Sequence, residues 1–145
     1  MTIIPSYVYS IFAALIVGAI LVSSCSLSMV NIKREAVNQQ LTNVDEYVAA
    51  QGLTLITHVT DDSQNATQFL DLPSQIGNQE YSISLANDSY SAWVESGFGT
   101  TVQNQPQIWI PAQINASGVF TSGWGQPFLQ CYCKNQTITL ILSSE

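Results

Sequence analysis

Charge is scarce in this chain. Asp, Glu, Lys and Arg make up 9% of its 145 residues, against about a quarter in ordinary soluble domains, and the first of them is Lys33. Three Lys+Arg against ten Asp+Glu leave a net charge of −7, which excludes the basic footprint that a nucleic-acid partner requires. There is one histidine, His58, and it reads as a surface or packing residue although Asp61 and Asp62 follow it closely. No histidine pair, glycine-rich phosphate loop or serine nucleophile elbow is present, so we expect no enzyme, no metal and no cofactor. Three cysteines are too few for a disulfide framework. Cys131 and Cys133 fall on one face of an expected strand, where a mutual bridge would be strained. Cys25 lies in an apolar segment, so the pair also lacks further metal ligands and reads as buried thiols. Proline is missing from Ser6 to Pro73, so nothing there interrupts a helix.

What fills the uncharged start is a mostly apolar run from Tyr7 to Ile32, longer than the roughly 20 residues that span a bilayer. A cleaved secretory signal needs a basic n-region and a short apolar core. Met1-Thr2-Ile3-Ile4-Pro5-Ser6 has no Lys or Arg, and the run is too long. Val22-Ser23-Ser24-Cys25 looks like a lipidation site, but the missing basic residues count against that as well. The segment therefore reads as a permanent hydrophobic helix, with Pro5 just ahead of its start. Ser10, Ala14 and Gly18 recur at i+4, as do Ser24 and Ser28, a spacing that lets helix backbones approach closely.

Apolar residues then continue at Val30, Val37, Leu41, Val44, Val48 and Leu55 in steps averaging 3.5 residues. Arg34 and Gln51 occupy stripe positions, whereas Lys33, Glu35, Asp45 and Glu46 fall off the stripe. One helix is expected from about residue 6 to a point between 50 and 58, with Gly52 either its cap or an interior glycine. Lys33 and Arg34 would draw the following domain into the cytoplasm by the positive-inside rule. A basic leader ahead of Met1, removed before assembly, would reverse that orientation.

Beyond about residue 60, Gly, Pro, Asn, Ser, Thr and aromatics dominate. Tyr81, Ile83 and Leu85 alternate with Ser82 and Ser84 as in a half-buried strand, and Asn87-Asp88 predicts a turn into Tyr90–Glu95. Further strands are expected at Thr67–Leu72, Phe98–Val102, Gln107–Gln113, Phe128–Cys133 and Thr137–Leu142. The fold class that follows is α+β: a long N-terminal hydrophobic helix over 1–58, then a small antiparallel β-sandwich-like or curled-sheet domain over 59–145. Asn65-Ala66-Thr67, Asn87-Asp88-Ser89, Asn115-Ala116-Ser117 and Asn135-Gln136-Thr137 all fit the N-glycosylation acceptor pattern. All four lie in the β domain at expected turns or strand edges, so N-linked glycans are the one modification foreseen. Trp93, Trp109 and Trp124 read as core or turn aromatics, with Gly123-Trp124-Gly125 exposing an indole on a loop.

The uncharged start with a proline in Ile3-Ile4-Pro5-Ser6-Tyr7-Val8, the run from Ile11 to Val22 and the heptad-like continuation into a strand-rich domain resemble mature archaeal type IV pilins and their pilin-like relatives. Leu72-Pro73-Ser74-Gln75-Ile76-Gly77-Asn78-Gln79-Glu80-Tyr81-Ser82-Ile83 is similar to the Leu-Pro, Ile-Gly, Tyr-x-Ile signature of that family. Bacterial pilins usually carry a glutamate near residue 5, and Pro5 favours the archaeal branch. The resemblance implies a lollipop-shaped subunit whose leader a prepilin peptidase has removed, with Met1 the mature start. It also implies that a membrane ATPase machine polymerises copies of the chain into an extracellular filament for surface attachment, with the membrane holding each subunit beforehand. Ile11, Ala14, Leu15, Gly18, Leu21 and Val22, and lower down Val37, Leu41 and Val44, are the residues expected in its helix core. The competing reading is a single-pass, membrane-anchored binding domain or filament-machine accessory. A monomeric anchor should tolerate Val37→Asp or Leu41→Asp, and a polymer core should not.

Overall fold

The computed structural model describes residues 6–59, 65–99 and 107–145. Pro5, Asp61, Asp62 and the part of the expected Phe98–Val102 strand beyond Gly99 lie outside the described residues. A single helix, α1, runs from Ser6 to His58, at the long end of the expected range. Gly52 is therefore interior, and it is buried because the helix packs there: a Cβ would meet the Leu140 side chain at 2.9 Å. The chain divides into two compact units, Met1–Ala36 and Val37–Glu145.

In the first unit the helix is apolar on every side from Tyr7 to Ile32, and none of the described side chains from Tyr7 to Ala36 is buried. Three of its serines keep their hydroxyls bonded within the helix. Ser24, Ser26 and Ser28 donate to the carbonyls of Ile20, Val22 and Ser24 at 2.9 to 3.0 Å, so these polar groups are satisfied within the helix, as an apolar surrounding demands.

In the second unit, residues 37–58 of α1 pack on a mostly antiparallel seven-stranded sheet. Its strands are β1 (Asn65–Phe69), β2 (Tyr81–Asn87), β3 (Ala92–Phe98), β4 (Ile108–Ile110), β5 (Asn115–Thr121), β6 (Pro127–Lys134) and β7 (Thr137–Ser144), in the order β1-β6-β7-β5-β2-β3-β4. The expected α+β class is thus present. The layer that closes the core is the helix, as sheet faces require some apolar cover. Tyr81, Ile83 and Leu85 of β2, Leu129 and Cys131 of β6 and Leu140 of β7 meet Leu41, Val48, Ala49, Leu55 and Ile56 in one core.

Two features were not anticipated. No strand is foreseen at β5, whose Asn-Ala-Ser-Gly start is poor in strand-forming residues, yet β5 joins the two halves of the sheet. It pairs antiparallel with β2 and parallel with β7, the one parallel pairing among the described strands. Gly118 makes this possible: at φ +122 a Cβ would fall against the Leu142 carbonyl, so only glycine fits. The second is the buried face of α1. It comprises residues 41, 45, 48, 49, 52, 55 and 56, a wider stripe than the 3.5-residue one, because a straight helix turns by 3.6 residues and drifts off a heptad line. Asp45, expected off the stripe, is inside the core.

Turns follow their residues closely. Asn135 and Gln136 take φ of 53 and 60 between the paired Lys134 and Thr137, the two-residue geometry that matches strand twist. At the foreseen β2–β3 turn, Asp88 Oδ1 accepts the backbone N–H groups of Tyr90 and Ser91, both at 2.8 Å. These bonds hold its carboxyl below the usual carboxylate range. The Ile76–Gln79 segment forms another tight turn, with Gly77 and Asn78 at φ 58 and 63. It tucks under Val37, whose Cγ2 lies 2.5 Å from where a Gly77 Cβ would stand. The Tyr81 hydroxyl donates to the Pro73 carbonyl at 2.6 Å and ties this turn to β2.

Candidate functional site

Two places in the molecule carry unusual chemistry, and the first is the exposed helix of residues 6–36. Ile11 is 52% exposed and Val22 67%. Leu15 and Leu21 fall between them, and Ala14 is exposed. A Cβ on Gly18 would meet nothing within 4 Å. A helix hydrophobic all round is not stable bare in water and belongs in lipid or among other apolar helices. The expected packing residues of this stretch thus share one uncovered surface. The lower three differ: Leu41 is buried in the core beneath the sheet, and Val37 and Val44 pack at its margin. Aspartate at Leu41 would therefore disrupt the domain's own core whether or not the chain polymerises, so that substitution does not separate the two readings.

The second place is the buried carboxylate of Asp45, which is 2% exposed. Ser96 Oγ, on β3, donates to Oδ2 at 2.6 Å, while Oδ1 is buried with no hydrogen-bond partner among the described residues. Burial favours the neutral acid and pushes the Asp45 carboxyl up from 3.8 to about 6, against the opposing pull of the Ser96 bond. Across the core, burial and then the Asp45 charge push the Tyr81 hydroxyl up to about 12. A protonated Asp45 needs less hydration than a carboxylate, so burial of the Asp45–Ser96 contact between α1 and β3 favours the acid form. The signal was available in the sequence: Asp45 stands four residues after Leu41 and three before Val48, on the face that a 3.6-residue turn buries.

His58 is exposed in the last helical turn. Cys131 and Cys133 are buried on the core face of β6, with no disulfide among the described residues, and burial raises the Cys131 thiol above its ordinary value, helped by Cys133. No group of three metal-ligating side chains occurs among the described residues. Trp93 and Trp109, expected in the core or in turns, lie instead on the neighbouring strands β3 and β4, half-buried and 55% exposed respectively, with ring centroids 5.3 Å apart and planes tilted by 56°, and Trp124 is 72% exposed in its glycine-flanked loop. Asn65, Asn87, Asn115 and Asn135 are all exposed.

Compared with known proteins, the chain matches no protein-family model, no curated sequence and no solved structure.

Proposed function

We propose that this chain is the structural subunit of an extracellular helical filament of the archaeal type IV pilus kind, held in the membrane before assembly and polymerising through its N-terminal helix for attachment to surfaces. The observation that carries this reading is the helical run from Tyr7 to Ile32, apolar on all sides with no described side chain buried, in which Ser24, Ser26 and Ser28 bond their own helix. One surface serves two environments. In lipid it is an anchor by length and composition. Bundled with copies of itself it becomes a core, stabilised outside the cell by about 25 cal/mol per Å² of apolar area withheld from water. Leaving lipid gains packing alone, so assembly needs an energy-driven machine, consistent with the ATPase and peptidase that the family resemblance implies.

Gly18→Leu tests the reading against a membrane-anchored monomer. A Cβ at this position meets nothing within 4 Å in the chain itself and leucine keeps the segment apolar, so insertion and domain folding are expected to continue. Close helix packing is not. Filament yield from cells carrying the variant should fall at least tenfold while membrane-fraction protein stays at the parental level. Unchanged filaments would contradict helix bundling through this face, and a native chain that never leaves the membrane fraction would favour the anchored domain.

A further inference from the structure

The four Asn-x-Ser/Thr triplets are spread over 70 residues of sequence and meet at one end of the sheet. Asn65 pairs with Tyr132, Tyr132 with Thr139, and Thr139 with Asn115. Paired residues share a sheet face, and here it is the face turned away from the core, since Cys131, Leu140 and Ala116 alternate with them and are buried. Three strand spacings separate Asn65 from Asn115, about 14 Å. Asn135 stands at the tip of the β6–β7 turn just beyond this row, and Asn87 lies beside β5, its Oδ1 accepting the Ala116 N–H at 3.1 Å. A polar cleft of about 280 Å³ lies among these triplets, lined by Ser89, Gln113, Asn115, Gln136 and Thr137 with others.

This end has a fixed place in the Val37–Glu145 unit. Val37, where the chain enters the unit, packs against Gly77, next to the start of β2. Further along α1, Gly52 lies against Leu140 and Ile110. Leu140 pairs with Ala116, and Ile110 pairs with Ala92 opposite Asn87. The acceptor end of the sheet is therefore the one toward which α1 runs, opposite the entry of the chain.

We infer that Asn65, Asn115 and Asn135 form a cluster of N-glycosylation sites that coats this far pole of the domain, while Asn87 serves structure instead. In each modification the Asn Nδ2 forms a bond to C1 of a sugar and loses a proton. The C1–O bond to a membrane-lipid phosphate donor breaks, and the lipid phosphate departs with the electron pair. The three open asparagines have no side-chain hydrogen bond among the described residues, and their hydroxyl partners Thr67, Ser117 and Thr137 are exposed beside them. Asn87 differs because Nδ2 donates to the Asp88 carbonyl while Oδ1 holds β5. A sugar coat here also supplies the solvation that a surface with 9% charged residues lacks.

The inference rests on the extracytoplasmic part of the proposed function, and the test separates the two. Intact-glycopeptide mass spectrometry of the chain from its native cells, together with its cleavage by protease added outside those cells, reads both. The expected result is sugar mass on at least two of the peptides carrying Asn65, Asn115 and Asn135, none on Asn87, and cleavage from outside. Bare peptides at all three positions, or sugar on Asn87 alone, in a protease-accessible chain would overturn the coat and leave the filament reading standing. Protection from the external protease would overturn the location on which both rest. Asn135→Gln should remove one sugar mass without moving the melting temperature, whereas Asn87→Ala should lower the melting temperature and remove no sugar.

Discussion

The same helix lives under two sets of rules. From Tyr7 to Ile32 every face is apolar, no charge is admitted, and no described side chain is buried. From Val37 to His58 one face packs into a core and the other carries Asn38, Asn43, Glu46 and Thr57, as in an ordinary amphipathic helix. Nothing in the backbone marks the change, since α1 is continuous. The difference is in what each stretch can be surrounded by. The second finds its apolar cover in the chain, and the first must find it in lipid or in other helices. Ser24, Ser26 and Ser28 of the first stretch bond their own helix, as Thr42, Thr54 and Thr57 do in the second, but Asp45 of the second also reaches across to Ser96 on the sheet.

Substitutions can sharpen or break this comparison, measured on the full chain in mild detergent. The largest effect is expected from Gly118→Val, which sets a branched side chain against the Leu142 carbonyl at φ +122. A loss above about 4 kcal/mol would leave the domain unfolded, read as lost near-ultraviolet circular dichroism. Next comes a matched pair: Leu41→Ala should cost about 3 kcal/mol, whereas Leu15→Ala in the exposed stretch should change unfolding by less than about 0.5 kcal/mol. Equal losses in both would show that the two stretches share one core, contrary to the account.

Asp45 gives a pH dependence of defined sign. Its carboxyl is raised from 3.8 to about 6 in the folded chain, so the folded state holds the proton more tightly than the unfolded state. That contribution is fully present below about pH 4 and is lost as pH rises through about 6, a decline of roughly 2–3 kcal/mol. Urea titrations at pH 4 and pH 7 should show it, and Asp45→Asn should flatten it. A parental chain with no such decline would mean that Oδ1 is hydrated or paired. The smallest effect runs the other way. Gln136→Gly relieves a non-glycine residue held at φ 60 and should raise stability by about 0.5–1 kcal/mol, seen as a melting temperature a few degrees higher; it also preserves the Asn135-x-Thr137 triplet.

Much of this architecture is legible in the residues. The helix is readable because its defining signals are local: an uninterrupted apolar run and no proline between Ser6 and Pro73. β2, β6 and β7 are readable because the apolar core face imposes alternation on Tyr81-Ser82-Ile83-Ser84-Leu85 and its counterparts, although Ser82 on the opposite face of β2 is buried as well. β5 is not, since Asn115-Ala116-Ser117-Gly118 has little strand preference of its own and becomes a strand only between β2 and β7. Asp45 was missed for a related reason. Its charge assigns it to solvent, and only the 3.6-residue pitch set by packing turns it inward. The four asparagine triplets could be found one by one, but their convergence on one end of the sheet depends on strand order, which no local pattern encodes.

The central claim is that the uncovered helix is covered, in life, by copies of itself. The most direct test is electron microscopy with helical reconstruction of filaments sheared from the native cells, with peptide identification of the purified material. The account predicts thin filaments in which this chain is the dominant protein, residues 6–36 packed together along the axis and the sheet domains outside. Filaments built from another protein, with this chain recovered only from the membrane, would contradict it.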